Sequence, residues 1–455
     1  MDYFLIICGH SESKTFIIAS CISLSDNMVV VKPFKGITYN SEKMEKLDDV
    51  MAPPYDIISP EMQEELYRKN EYNVVRLILG KIYPDDDEKN NRYTRAKEFF
   101  EKWLNEGILV ESDEEAIYPY KVEYKCDGEN KVMNGFFILL KLDHNYEKVK
   151  AHERTLSKPK EDRLKLMRET RANLEPIELL YMDEKDEIMK KIDSALGEPI
   201  IDVLGYDGFR HKLWKISDGE IIEFVKDKLS DEILYIADGH HRYQTAINYA
   251  EEVGAGEENP ENYIMVVLAN MFDKGLTILP THRMIRMDID INELMEKCKE
   301  YFDVEKVELE RDLSPVEIGK RLSEMIKTDK EHKFAVYHRD GTYILTLKDE
   351  SVMDELAPDR SKAWRTLDVS ILHKIVIEKL MGITDKNLED HVKYTRDTKE
   401  AIEVVNGGKF DMSFILNPTK IEEIKEIASA GEHMPQKSTY FLPKLLSGLV
   451  MRKFH

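Results

Sequence analysis

The sequence predicts a mixed α/β (α+β) protein, and three observations support this fold class. From Val29 onward, short apolar runs typical of strands alternate with segments whose apolar residues recur at helical spacing. No low-complexity segment and no obvious repeat interrupts this alternation. With 455 residues, of which 42% are hydrophobic and 34% charged, the chain is long enough for two or three domains with packed cores.

The chain is expected to divide into three regions. Residues 1–28 are expected to be a non-native or disordered extension. Their apolar runs at 4–7 and 16–19 are too short to span a bilayer, and no positive charge precedes the first, as a signal peptide would require. Residues 29–286 are expected to form the main α/β region, and residues 287–455 a C-terminal α/β region that closes over the site.

Local signals predict the elements of the main region. Ser59-Pro60-Glu61 predicts a capped helix start, and the apolar spacing over 93–104 predicts a second helix. The predicted strands are 74–79, 117–124, 135–142, 177–182, 233–236 and 263–268.

Three signals predict that the C-terminal region also combines strands with helices. Asp340-Gly341 lies between two apolar runs and predicts a β-hairpin. Residues 412–416 predict a further strand. Thr419 and Glu422 have the spacing of a capping box and predict the start of a helix.

Charge and cysteine usage limit the classes of partner. The 66 Lys and Arg against 88 Asp and Glu give a formal net charge of −22, which disfavours general nucleic-acid binding. No segment favours a membrane. The four cysteines lack the spacing of a metal site or a disulfide framework, so a cytoplasmic location is expected.

The turn between a predicted strand at 233–236 and a predicted helix at 243–250 is the most informative segment. Its five residues are Asp238, Gly239, His240, His241 and Arg242. Unpaired N–H groups at a helix N-terminus favour an anion, and an arginine can offer a bidentate fork. The turn therefore predicts a phosphate site. The alternative is a structural turn in which the aspartate caps the helix and the histidines are solvated.

Four further polar clusters are predicted to bind a small, highly anionic ligand together with this turn. The 152–155 run resembles a polyphosphate clamp, in which Glu153 serves as base or metal ligand; the alternative is a solvated helix face. Arg76 is an additional candidate unless it only pairs with a buried acid. The cluster residues are His152, Glu153, Arg154 and Thr155 with Lys160 and Arg163; Tyr55 and Asp56; Thr281, His282 and Arg283; and Lys437, Ser438 and Thr439.

Common signatures of other chemistries are missing from the sequence. It contains no G-x-x-x-x-G-K-[ST] loop, no G-x-G-x-x-G, no G-x-S-x-G and no H-E-x-x-H. If a nucleotide is bound, it is held by another kind of site.

Six motifs in order resemble a large prokaryotic family catalogued as a domain of unknown function, over about residues 31–450. They are MAPPYDIIS (51–59), VRLILG (75–80), HERTLSKPKEDRLKLMRETRAN (152–173), IADGHHRYQTA (236–246), LPTHR (279–283) and MPQKSTYFLPKLLSGLV (434–450). The turn at 238–242 is also similar to that of free-serine kinases with the ParB/sulfiredoxin fold. Some relatives of the family are serine kinases, including pyrophosphate-dependent ones.

The resemblance implies a ParB/sulfiredoxin-like catalytic core over 29–286 and phosphorylation of free L-serine to O-phospho-L-serine. The donor would be pyrophosphate, ADP or ATP, and Mg²⁺ the cofactor. Asp238 would bind the metal, and Glu153, Asp56 and Asp238 compete as the general base. The resemblance itself assigns donor-phosphate and Mg²⁺ binding only to the turn at 238–242. With the polar clusters added, the candidate catalytic residues are Asp238, Glu153, His240 and His241; the candidate phosphate-binding residues are Gly239, Arg242, His152, Arg154, Lys160, Arg163, His282, Arg283 and Lys437; the candidate substrate-binding residues are Tyr55, Asp56, Arg76, Thr155, Thr281, Ser438 and Thr439.

Two other functions remain open from the sequence. A ParB-type nucleotide-binding or DNA-linked module would use the same turn without making phosphoserine. A phosphate-ester or nucleotide hydrolase would use water as the acceptor. The net charge of −22 and the lack of an evident helix-turn-helix disfavour the first of these.

Overall fold

The structure is a computed structural model, and Met28 is the only residue of the expected N-terminal extension within its described part. It describes residues 28–126, 128–153, 157–310, 312–328, 330–384, 386–435 and 437–455, with only the backbone at 157–159. Two large sheets with helices packed against them confirm the mixed α/β class. Within these ranges, no helix has the length and apolar character needed to cross a membrane.

The strands fall into one nine-stranded sheet, one six-stranded sheet and three two-stranded pairs. In chain order they are β1 (Val31–Lys32), β2 (Ile37–Tyr39), β3 (Leu109–Glu111), β4 (Tyr118–Cys126), β5 (Glu129–Lys141), β6 (Val149–Lys150), β7 (Ala172–Asn173), β8 (Ile177–Tyr181), β9 (Ile201–Leu204), β10 (Arg210–Leu213), β11 (Leu234–Asp238), β12 (Tyr263–Asn270), β13 (Thr277–Leu279), β14 (His282–Ile285), β15 (Phe302–Val307), β16 (Lys333–His338), β17 (Gly341–Leu347), β18 (Val392–Thr395), β19 (Met412–Ile415), β20 (Tyr440–Leu442) and β21 (Arg452–Lys453).

The helices lie mainly between strands, as the alternation in the sequence predicts. They are α1 (Pro60–Lys69), α2 (Val75–Ile78), α3 (Arg92–Asn105), α4 (Ser157–Thr170), α5 (Glu187–Asp193), α6 (Gly219–Leu229), α7 (His240–Glu252), α8 (Ile291–Cys298), α9 (Pro315–Ile326), α10 (Val352–Leu356), α11 (Lys362–Arg365), α12 (Asp368–Ile371), a π-helix (Leu372–Leu380), α13 (Leu388–His391), α14 (Thr398–Asn406) and α15 (Ile421–Ser429). Short 3₁₀ turns lie at Leu47–Asp49, Tyr55–Ile57 and Pro260–Asn262.

The nine-stranded sheet has the order β6-β11-β8-β12-β5-β4-β10-β9, with β1 paired to β5. β12 is buried along its whole length, because both faces of the sheet are covered. Its alternate residues Ile264, Val266 and Leu268 pack into one hydrophobic cluster with α6 and α7. Met265 and Val267 face a second cluster that continues into the C-terminal region.

The six-stranded sheet has the order β15-β17-β16-β19-β14-β18. β16 and β17 pair antiparallel with His338 opposite Gly341, which confirms the predicted hairpin but makes Arg339-Asp340 its turn, one residue before the predicted Asp340-Gly341; β19 confirms the predicted strand at 412–416. The predicted capping box is displaced by one residue. The helix begins at Ile421, so Lys420 is its N-cap, and the Thr419 hydroxyl instead donates to the Ser438 carbonyl at 3.0 Å.

The predicted strand at 74–79 is wrong, because this segment contains the helix α2. The Asn73 side-chain carbonyl accepts a hydrogen bond from the backbone N–H of Val75 at 3.0 Å, which favours a turn at the start of the segment. The apolar character of Val75, Leu77 and Ile78 reflects their complete burial rather than a pleated strand.

The last segment of the chain returns to the main region after the six-stranded sheet is complete. β20 pairs with β13, Ser447 pairs with Ala52, Met451 pairs with Ile37, and β21 pairs with β7. The six-stranded sheet includes β14, which precedes the division expected at 286/287; that division stays a prediction. The return of the chain brings the 434–450 motif beside the end of β11.

Candidate functional site

The centre of the site is the connection from β11 to α7. The predicted strand and helix are both confirmed, but α7 begins at His240 rather than at Tyr243. Both histidines and Arg242 therefore lie in the first turn of the helix. Gly239 occupies the N-cap position with φ +92°, a left-handed conformation that costs glycine little. Because Gly239 and not Asp238 holds the N-cap position, and the Asp238 carboxylate pairs with Arg242 and Lys444, the alternative of a simple helix cap by Asp238 does not hold.

Replacing Gly239 by alanine is expected to lower the free energy of unfolding by about 1–3 kcal/mol. The new Cβ would adopt a strained φ and would lie 3.1–3.2 Å from the Arg242 guanidinium. Gly219→Ala is the matched control, since a Cβ at Gly219 meets nothing within 4 Å. Thermal unfolding of both variants checks this expectation, and equal melting temperatures for the two would contradict it.

The Asp238 carboxylate is held between two cations. Its Oδ1 lies 2.5 Å from the Lys444 Nζ and its Oδ2 lies 2.6 Å from the Arg242 Nη2. Burial alone would raise the pKa of Asp238, but Lys444 and Arg242 outweigh burial and hold this pKa below its usual range. Asp238 is therefore ionised at neutral pH and is poorly suited to accept a proton.

A second carboxylate, Glu178, lies behind this pair and was not singled out from the sequence. Glu178 on β8 is opposite Asp238 in the β8–β11 pairing and is fully buried. Burial raises the pKa of Glu178 to about 8, although the charge of Lys444 acts in the opposite direction. The Lys444 ammonium therefore interacts electrostatically with two carboxyl groups, those of Asp238 and Glu178.

The β11–α7 turn opens into a cavity of about 500 Å³. Three parts of the chain form its wall, and closure of the C-terminal region over the site stays a prediction. They are the main region (Tyr55, Asp56, Ile57, Glu153, 237–242 and Thr281), the C-terminal region (394–397 and Glu400) and the returning segment (Lys437, Thr439, Tyr440 and Lys444).

The cavity wall carries cations and carboxylates in nearly equal number. The cations are Arg242, Arg396, Lys437 and Lys444, and the acids are Asp56, Glu153, Asp238, Asp397 and Glu400. Three of these acids belong to the polar clusters predicted from the sequence, and Asp397 and Glu400, which follow β18, are additions that the sequence does not predict. A polyanion would meet a site of almost balanced charge, so we expect it to enter with a compensating cation.

Glu153 has the electrostatic character that a general base needs. Burial raises the pKa of Glu153, Asp238 and Asp56 add to this effect, and Lys437 and Lys444 oppose it. A raised pKa places a carboxyl closer to operating pH, where proton transfer is efficient. Among the three base candidates, Glu153 fits better than Asp238, which is held ionised, and than Asp56, which is exposed.

The histidines of the site are neutral at pH 7. Burial lowers the pKa of His240 and of His241, and it lowers the pKa of His152 to about 4. His240 Nε2 accepts a hydrogen bond from the His152 N–H at 3.4 Å, and the two rings meet edge to face at 4.6 Å. His152 lies 3.0 Å from the Thr439 hydroxyl. Neutral imidazoles can offer hydrogen bonds to a phosphate but no charge.

Of the eleven other predicted site residues that the structure describes, five reach the cavity. Tyr55, Asp56, Thr281, Lys437 and Thr439 line it. Arg154 and Thr155 lie outside the described residues.

Two arginines predicted to bind the ligand support the wall instead. Arg283 is fully buried; it donates to the Thr281 carbonyl and, at 3.5 Å, to the Lys437 carbonyl. Arg163 forms an ion pair with Glu175 at 3.5 Å and lies 3.9 Å from the centre of the Tyr55 ring. Both residues position wall residues without lining the cavity.

Four further predicted residues lie away from the cavity surface. Arg76 donates to the Tyr67 carbonyl at 2.9 Å and packs on the Tyr67 ring. His282 accepts from the Leu416 N–H at 3.3 Å, and Ser438 donates to the Pro435 carbonyl at 2.6 Å. Lys160 does not line the cavity, although its charge helps to lower the pKa of His241. Direct ligand contact by these residues stays a prediction.

The described residues do not form a ready-made metal centre. Within the described ranges, no group of three or more His, Cys, Asp or Glu side chains could hold a metal ion. Both oxygens of Asp238, the expected Mg²⁺ ligand, are already engaged by Lys444 and Arg242. The single carboxylates Glu153 and Asp56 can supply one ligand each, and Mg²⁺ commonly takes only one or two carboxylates beside phosphate oxygens.

Comparisons with known proteins give a family but no detailed template. A search of curated proteins finds no match. Among solved structures, a conserved hypothetical protein from Pyrococcus furiosus is 15% identical with a TM-score of 0.33, covering 68% of this chain and 90% of its own. A free serine kinase in complex with AMP is 15% identical with a TM-score of 0.32, covering 68% and 88%. A variant of a free serine kinase in complex with ADP is 16% identical with a TM-score of 0.34, covering 69% and 88%.

The family comparison covers most of the chain. Residues 31–370 match the family described as "Protein of unknown function (DUF1015)", and the chain therefore belongs to this family.

Proposed function

We propose that this protein is a phosphotransferase that converts free L-serine to O-phospho-L-serine with pyrophosphate, ADP or ATP as the donor. The observation that carries the proposal is a single cavity that holds both the first turn of α7 and the Glu153 carboxyl with its raised pKa. The helix terminus offers N–H donors to phosphate, and Glu153 offers a proton acceptor. The resemblance of the 236–246 motif to free-serine kinases supports the same reaction. A cytoplasmic location fits the cysteine usage.

In this reaction the serine hydroxyl oxygen attacks the terminal phosphorus of the donor. The new bond joins that oxygen to phosphorus, and the bond from phosphorus to the bridging oxygen breaks. The hydroxyl proton passes to Glu153, and phosphate, AMP or ADP leaves with the bridging oxygen. Catalysis of this kind depends mainly on positioning and on neutralising charge, which Arg242, Arg396 and Lys437 can supply.

We further propose that Mg²⁺ enters with the donor phosphates and that Asp56 completes its ligands, since Glu153 serves as the proton acceptor. The nearly balanced charge of the cavity wall supports this role for a divalent cation. Pyrophosphate with Mg²⁺ is therefore expected to raise the melting temperature, whereas pyrophosphate with EDTA, or Mg²⁺ alone, is expected to raise it much less. Equal shifts with pyrophosphate in Mg²⁺ and in EDTA would contradict the cofactor.

Mass spectrometry of the products tests the reaction itself. Purified protein is incubated with serine, Mg²⁺ and, in parallel, pyrophosphate, ADP or ATP, beside an Asp238→Ala control. We expect phosphoserine with at least one donor and none in the control, since Asp238 fixes both Arg242 and Lys444. No phosphoserine with any donor would overturn the proposal. Phosphate release alone would favour a hydrolase, and DNA retention at physiological salt would favour the binding module.

A further inference from the structure

A second, smaller cavity adjoins the first. Its volume is about 290 Å³, against about 500 Å³ for the larger one. Glu153 and His240 line both cavities, so the two spaces meet at these side chains. The smaller cavity also has wall residues from α7, from the segment after β6 and from α15, among them Gln244, Ala151 and Ala428.

The two cavities differ in size and in chemistry. The larger has four cationic side chains and opens onto the first turn of α7, as a phosphate-bearing ligand requires. Among the described residues that line the smaller cavity, Lys150 supplies an ammonium group and Glu153 a carboxyl group. Gln244 and Tyr146 add neutral polar groups. Its volume lies at the lower end of the range of about 300–1,000 Å³ that is usual for ligand pockets. It therefore suits a small zwitterion better than a nucleotide.

We propose that the smaller cavity binds the acceptor amino acid and the larger cavity binds the phosphoryl donor, with Glu153 at their junction. This inference rests on the proposed function and assigns a place to each substrate. The acceptor hydroxyl would lie beside the Glu153 carboxyl at the junction, and the donor phosphorus would face that hydroxyl directly from the larger cavity. That arrangement keeps the two substrates apart until the hydroxyl oxygen faces phosphorus, as an in-line transfer requires.

Lys150 and Gln244 have unused capacity for the charged groups of an amino acid. The Lys150 ammonium donates one hydrogen bond, to the Tyr146 carbonyl at 3.0 Å, and has two further N–H groups for a carboxylate. The Gln244 carbonyl accepts from the Tyr146 hydroxyl at 2.8 Å and has a second lone pair for an ammonium group. The Gln244 amide also donates to the Asn248 side chain at 3.1 Å, which fixes its orientation.

Kinetics of three matched variants test this assignment. Gln244→Leu and Lys150→Met alter the smaller cavity, and Arg396→Met alters the larger one. The KM for serine is expected to rise on the order of tenfold in the first two, as for loss of one charge-assisted hydrogen bond, with little change in the KM for the donor. Arg396→Met is expected to show the reverse. Equilibrium dialysis with radiolabelled serine measures acceptor binding without turnover, and melting temperatures confirm that each variant is folded.

The outcomes separate this inference from the proposed function. If Gln244→Leu does not fold, Lys150→Met alone decides, because the two residues lie on different elements. A rise in the KM for the donor, or no change in either KM, would overturn the assignment of the cavities while phosphoserine formation still stands. If the unmodified protein makes no phosphoserine, the proposed function fails, and absence of serine binding in dialysis would then overturn the acceptor cavity as well.

Discussion

Replacing Glu153 by glutamine is expected to lower kcat for phosphoserine formation by about 10²- to 10⁴-fold, the usual contribution of a general base. Glutamine keeps the size and the hydrogen-bonding shape of the side chain but cannot accept the hydroxyl proton. The fold is expected to survive, because removing a carboxyl whose pKa is raised by burial relieves a desolvation cost. Steady-state kinetics with saturating serine and donor measure the effect.

The pH profile gives a second readout of the same residue. Because the base must be ionised, kcat is expected to be low at pH values below the raised pKa of Glu153 and to increase as pH rises through that pKa. Glu147→Gln is the matched control, because this glutamate is close in sequence but exposed. Its variant should have an unchanged kcat and the same decrease of kcat at acidic pH as the unmodified protein. A Glu153→Gln variant with unchanged kcat would remove Glu153 from the chemistry.

Replacing Lys444 by methionine is expected to destabilise the protein by about 3–5 kcal/mol, the usual cost of breaking a buried ion pair from one side. The Lys444 side chain is 10% exposed and that of Asp238 19% exposed, so water can replace little of the lost interaction. The variant would also remove the larger of the two cationic charges, those of Lys444 and Arg242, that lower the pKa of Glu178. Chemical denaturation at neutral pH measures the loss in the free energy of unfolding.

A double-mutant cycle separates the ion pair from packing. Asp238→Asn is expected to cost less stability in the Lys444→Met background than in the unmodified protein, since there it breaks only the ion pair with Arg242. The pKa of Asp238 is lowered in the folded state, so its contribution is present above the unfolded pKa of about 3.9 and is lost as pH falls below it. Additive effects of the two substitutions would show that Lys444 and Asp238 do not act as a pair.

Much of the local structure could be predicted from the sequence, because it depends on neighbours in the chain. Ser59 caps α1 as expected, its hydroxyl accepting from the Met62 N–H at 3.2 Å, and the hairpin forms within one residue of the predicted Asp340-Gly341 turn. The start of α7 was placed three residues too late. The charged residues at 240–242 look like loop, but they are helical because Gly239 turns the chain immediately after β11.

The main omission at the site depends on contacts between distant parts of the chain. Lys444 is 206 residues from its partner Asp238, and no spacing rule connects them. Arg396 and Glu400 reach the cavity because β18 lies at the edge of the second sheet. A guanidinium such as that of Arg283 is typical of a ligand-binding residue, but Arg283 is completely buried and donates to backbone carbonyls instead. Residue type could be read from the sequence at these positions, whereas the direction of each side chain depends on tertiary packing.

Phosphoserine formation in ¹⁸O-labelled water tests the central claim most directly. Protein, unlabelled serine, Mg²⁺ and the donor are combined, and both phosphoserine and released phosphate are analysed by mass spectrometry. Direct transfer from the donor to the serine hydroxyl predicts phosphoserine without ¹⁸O, lost in the Glu153→Gln variant. Phosphate that carries ¹⁸O, with no phosphoserine, would show that water is the acceptor and would contradict the assignment of this protein as a serine kinase.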